Sequence, residues 1–90
     1  MIAYDVVIPS IGRPQLLSTL RALAFQPDPL PGHVFVVDDR RRRSTPVCDA
    51  AQVPSLLRER LIVLPGDAAG PASARNVGWR ASPAEWVVFL

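Results

Sequence analysis

Ninety residues, 49% of them hydrophobic, make one domain or part of one. The ten basic residues are all arginine, and against eight acids they leave a net charge of +2, too small to argue for a nucleic-acid partner. The single cysteine, Cys48, excludes an internal disulfide and a cysteine metal cluster. No apolar run approaches the roughly 20 residues that span a bilayer. The charged and apolar regions of a signal peptide are lacking, so the location expected is cytoplasmic. A mean hydropathy of +0.19 is high for so small a domain and points to apolar surface that meets another partner.

Residues 4–8 form a short apolar run rich in β-branched side chains, closed by Pro9, and are predicted as a buried strand. Pro14 suits the first position of a helix, where its missing N–H costs nothing. Leu16, Leu17, Leu20, Leu23 and Ala24 then recur at helical spacing through Phe25. The Pro- and Gly-rich stretch 27–32 cannot continue a helix and is predicted as a turn. Residues 34–37 read as a second buried strand, ending on Asp38 and Asp39. Residues 40–46 are polar and irregular. Residues 49–60 carry a weaker helical pattern that Pro54 interrupts, so the helix is expected to start near that proline. Residues 61–64 form a third strand, stopped by Pro65 and Gly66. Pro71 suits the first turn of another helix. There Ala74, Val77, Gly78 and Ala81 make a narrow face of small residues for close packing on a sheet. Pro83 ends that helix, and residues 86–90 are the fourth strand.

This alternation predicts a three-layer, Rossmann-like α/β unit. Its strands are continuous apolar runs, as in a parallel sheet covered on both faces. Right-handed crossovers order them 3-2-1-4. That order reverses beside the first strand, and ligands bind outside the carboxyl ends of strands at such a switch point.

Several residues at those ends suit a ligand. Asp38 and Asp39 end the second strand. A carboxylate only accepts hydrogen bonds, which matches ribose hydroxyls or the N3–H of uracil. A solvated turn with Asp39 capping local backbone is the plain alternative. In the turn after the first strand, Gly12 lets backbone approach a ligand and Arg13 reaches for a phosphate. A tight turn with Ser10 as its cap fits equally. Gly70 and Pro71 open the third long helix, whose free N–H groups favour anions. Arg75 and Asn76 follow, either at the site or buried to lock the helix to the sheet. Arg40, Arg41, Arg42 and Arg43 read as a solvated loop or as a patch that attracts an anionic substrate. Glycine-rich dinucleotide and phosphate-loop fingerprints are lacking, and nothing supports a nucleophile triad or metal ligands.

Four segments together, VVIPSIGRP, VFVVDDR, GPASARNVGWRAS and EWVVFL, resemble the family 2 glycosyltransferases of the GT-A type. The resemblance covers nearly the whole chain in order and spacing. It implies a nucleotide-diphosphosugar site, with uridine or thymidine diphosphate sugars favoured. By it, Pro9 and Ser10 line the base pocket, Asp39 contacts base or ribose, and Asp38 supports that contact. The loop at 70–72 covers the base, and Arg75 and Asn76 brace or line the donor site. The family often has Gly-Ser or Asn-Ser after the paired acids, where this chain has Arg40 and Arg41. The resemblance also implies an acidic DxD-type motif directly after strand 86–90, holding a manganese or magnesium ion that neutralises the diphosphate leaving group. These residues are expected to be the N-terminal nucleotide-binding part of such an enzyme, inactive alone. A nucleotidyltransferase or other sugar-nucleotide-modifying enzyme and a stand-alone binding module are the alternatives. The strand carrying Trp86 and Leu90 is expected to present an unpaired apolar edge through which the chain self-associates.

Overall fold

The computed structural model describes residues 3–26 and 29–90. Of the turn predicted at 27–32, Pro27 and Asp28 lie outside the described residues. The strands are β1 (Tyr4–Ser10), β2 (Val34–Asp38), β3 (Leu61–Pro65) and β4 (Trp86–Phe89), joined through helices α1 (Gln15–Ala24), α2 (Ser55–Arg58) and α3 (Pro71–Ala81). All pairings are parallel, and the sheet runs β3-β2-β1-β4. This is the α/β order that right-handed crossovers dictate for these elements.

Each strand sends alternate side chains to opposite faces, and both faces of the central β1 and β2 are covered. The edge strands β3 and β4 stay largely exposed instead of buried on both faces, because the helices pack over the centre. On one face Val6, Ile8, Val34 and Val36 pack with Leu16, Leu20 and Leu23 of α1 and with Val47, Val53 and Leu57. On the other, Val7, Phe35 and Val37 meet Ala74 of α3. Helix α3 lies so close that a Cβ on Gly78 would come 2.4 Å from Val7 Cγ1. Of the small-residue face predicted for this helix, Ala74 and Gly78 are buried, but Ala81 is exposed at the last turn, beyond the sheet contact.

Three boundaries differ from expectation. Strand β1 continues through Pro9 to Ser10. Pro9 still pairs with Val37 on the β2 side, whereas the β4 register ends at Val7 and Phe89, so the missing N–H falls where that neighbour is running out. The helix expected near Pro54 is only the single turn of α2, preceded by a 3-10 turn at Ala50–Gln52 that Asp49 caps through the Ala51 N–H. Pro54 keeps an extended ψ of 137°, so the two turns do not fuse. Strand β4 ends at Phe89, although the Leu90 N–H still donates to Val7 O at 3.1 Å.

At the amino ends of the strands, Asp5 is only 2% exposed. Its carboxylate accepts from the His33 N–H at 2.9 Å and from Ser82 Oγ, and lies 3.2 Å from His33 Nδ1. This one acid ties the start of β2 and the α3–β4 turn to β1, leaving the opposite ends of the strands for ligand chemistry.

Candidate functional site

The carboxyl ends of β1, β2 and β3 are in register, with Ser10 opposite Asp38 and Asp38 opposite Pro65. The loops leaving them are tied together. The Asp39 N–H donates to Ser10 O at 2.9 Å and the Gly66 N–H to Asp38 O at 2.9 Å. Ser10 Oγ accepts from the Gly12 N–H at 3.0 Å, the local cap that the sequence allowed. Gly12 and Gly70 have φ of +82° and +100°, a region that only glycine enters without strain.

The two acids are both buried, and their roles diverge. Asp38 is held by Arg40 in a two-pronged ion pair, Nε to Oδ1 at 2.8 Å and Nη2 to Oδ2 at 2.8 Å. The Arg40 backbone N–H adds a longer bond to Oδ1. The arginine's side-chain hydrogen bonds hold the Asp38 carboxyl below its ordinary pKa, although burial acts against them. Asp39 reaches the other way. Its Oδ2 accepts from the Gly70 N–H at 3.0 Å, anchoring the loop that opens α3. Its Oδ1 is buried with no partner among the described residues. That oxygen nests against Gly66, where a Cβ would stand 2.7 Å away. A buried acceptor in this state costs about 1–3 kcal/mol until a donor reaches it.

The run of four arginines splits. Arg40 folds back onto Asp38 and is partly buried, while Arg41, Arg42 and Arg43 are exposed. Arg40 Nη2 also donates to Thr45 O at 2.6 Å. Arg43 donates from Nε to Arg40 O at 3.1 Å and from Nη2 to Gly66 O. Neither a fully solvated loop nor a freely steering patch describes this segment. Sequence reasoning placed Arg40 in the arginine run and Gly66 at the stop of the third strand, but gave neither a part in the acid cluster. An arginine two residues after a strand-end aspartate was the available signal for Arg40, and the Pro-Gly stop of the third strand was the signal for Gly66.

Pro9, Ser10 and Arg13 line an open depression of about 490 Å³ together with Ile8, Leu16 and Leu90. Pro71 is exposed at the first position of α3, whose first turn has no side-chain cap and no acid. Arg75 and Asn76 are both exposed, so the alternative in which they are buried to lock the helix to the sheet is wrong. The structure brings Ser10, Gly12, Asp38, Asp39 and Gly70 into one bonded cluster.

The profile of glycosyl transferase family 2 matches residues 5–90. The chain belongs to glycosyl transferase family 2. Searches of curated proteins and of solved structures returned no match. Membership supports glycosyl transfer as the function, and the parallel 3-2-1-4 sheet is consistent with the donor-binding half of a GT-A domain. As a family 2 glycosyltransferase the chain raises the question of a divalent cation. Among the described residues no group of three His, Cys, Asp or Glu side chains could hold one. Asp38 is committed to Arg40 and Asp39 to the Gly70 loop, so the residues present do not fit a metal and no step is assigned through one. No helix is long and apolar enough to cross a membrane among the described residues.

Proposed function

We propose that the carboxyl ends of β1 and β2 bind the nucleotide of a nucleotide-diphosphate sugar, the donor for transfer to an acceptor hydroxyl. The observation that carries this reading is Asp39, an acid at the switch point of the sheet whose buried Oδ1 lacks a donor. A base N3–H or a ribose hydroxyl that reached the carboxylate would relieve the deficit, and the N3–H contact favours UDP or dTDP sugars. Pro9 and Ser10 line the base pocket, Arg13 approaches the diphosphate, and Gly70 and Pro71 cover the nucleoside. Arg75 and Asn76, exposed on the early turns of α3, face the donor side. The setting is cytoplasmic.

Calorimetric or NMR titration with UDP, dTDP and ADP tests this. The pyrimidine diphosphates are expected to bind more tightly than ADP, and Asp39→Asn to weaken that binding by about 1–3 kcal/mol. Equal binding of all three, or shifts confined to Arg41 and Arg42, would reduce the site to plain charge attraction. The 90-residue chain alone is expected to turn over no nucleotide sugar with manganese or magnesium, and measured release of the nucleotide diphosphate would refute that.

A further inference from the structure

We propose that Arg40 is a specificity-determining contact of the nucleotide site, offering its two Nη1–H donors to a neutral acceptor on the nucleoside, with Asp38 as the positioning residue that holds it there. The proposal rests on the nucleotide-binding reading above and names the group that would read the nucleoside.

The donor inventory of Arg40 leads to it. A guanidinium carries five N–H donors in a fixed plane. Nε bonds Asp38 Oδ1, and Nη2 bonds both Asp38 Oδ2 and Thr45 O. Nη1 has no hydrogen-bond partner among the described residues. Two prongs on one carboxylate and a third bond to a carbonyl fix the plane, so the direction of Nη1 is set in advance. The side chain is only 18% exposed. It lies across the turn after β1, where a Cβ on Gly12 would come 3.1 Å from Arg40 Cδ and 3.7 Å from Nη1. The free donors therefore sit between the β1 turn and the acid pair, the place assigned to the nucleoside.

Charge decides what they would meet. Asp38 neutralises Arg40 through the two-pronged pair, so the guanidinium offers its free donors with little net charge. A charge-balanced pair has little pull of its own on a phosphate. A ring carbonyl or a ribose oxygen matches a pre-aimed donor pair, and a lysine could not reproduce its geometry.

The test is titration of the chain and its Arg40→Gln, Arg40→Lys and Asp38→Asn variants with UDP and with inorganic pyrophosphate. Arg40→Gln is expected to weaken UDP on the order of tenfold, the scale of one charge-assisted hydrogen bond, while leaving weak pyrophosphate binding unchanged. Arg40→Lys is expected to lose as much, and Asp38→Asn part of it, because an amide cannot accept both prongs. UDP binding undiminished or tightened in Arg40→Gln, or restored by Arg40→Lys, would overturn the proposal. A measurement on the unaltered chain guards against variants that fail to fold. The Arg40 guanidinium NMR signals are expected to shift as UDP saturates, and unchanged signals would overturn the assignment. Preference for UDP over pyrophosphate that is undiminished in Arg40→Gln sinks the role of Arg40 alone. Equal binding of UDP and pyrophosphate by the unaltered chain sinks the nucleotide reading and this inference with it.

Discussion

Asp38 and Asp39 are neighbours in sequence with the same side chain, yet their surroundings give them different tasks. Asp38 faces a guanidinium, and Asp39 faces a glycine loop. The pairing sets a pH dependence whose sign follows from the lowered pKa of Asp38. A carboxylate with a lower pKa folded than unfolded adds stability above its ordinary value of 3.8, and that stability is lost as pH falls through the folded value. The 40–46 loop is therefore expected to keep its native NMR signals through the usual carboxylate range and to release only below it. Asp38→Asn should abolish that acid-side transition, and a loop that released near 3.8 in the unaltered chain would show the ion pair to be idle. At this scale the sequence was half legible. The acids and Gly12 stood out because carboxylates and a turn glycine are unusual at the end of an apolar strand. The arginines did not separate, because four identical residues in a row carry no mark of which ones fold inward. That choice is made by Asp38 and by the space above Gly12.

Among the elements, α3 shows what a small-residue face is for. Ala74 and Gly78 bring the helix down onto β1 and β2, and Gly78 would place a Cβ within 2.4 and 3.0 Å of the two Val7 methyls and 3.2 Å of Val37 Cγ2. Gly78→Ala sets two effects against each other. Alanine gains up to about 1 kcal/mol of helix propensity. Overpacking costs about 1–3 kcal/mol, and a 2.4 Å contact against the β-branched Val7 requires the helix or the strand to move. Loss is expected to win, lowering the melting temperature by several degrees, at roughly 4–8 °C per kcal/mol for a domain of this size. Circular dichroism melts check it, with Ala81→Ser as a control that should stay within about 0.5 kcal/mol because Ala81 is exposed. The strands and both long helices were legible because their periodicity spans whole elements. The region from 49 to 60 was not, because two short turns around a proline imitate one weak helix.

For the whole molecule, order and direction of the strands followed from chain connectivity, since apolar strands alternating with helices leave few right-handed arrangements. What connectivity does not decide is the fate of the edges. Among the described residues strand β4 pairs only with β1, and Trp86, Val88, Phe89 and Leu90 are 59, 44, 44 and 52% exposed. β3 at the other edge exposes fewer large side chains, Ile62 at 37% and Val63 at 48%. The β4 edge carries no lysine, proline or bulge to discourage pairing. A two-fold contact would bring two such strands together antiparallel and cover eight half-exposed side chains. Completing their burial is worth at most roughly 6–12 kcal/mol, if each regains about half of a full side-chain burial. Association costs about 4–15 kcal/mol in lost freedom. The terms nearly balance, so the 90-residue chain is expected to form a weak, concentration-dependent dimer through β4 rather than a permanent one. Sedimentation velocity across a concentration series measures it, and Val88→Lys should return the dimer to monomer without lowering the melting temperature. A species that stays monomeric at the highest concentrations with β4 ordered, or a dimer that Val88→Lys leaves intact, would rule the β4 contact out.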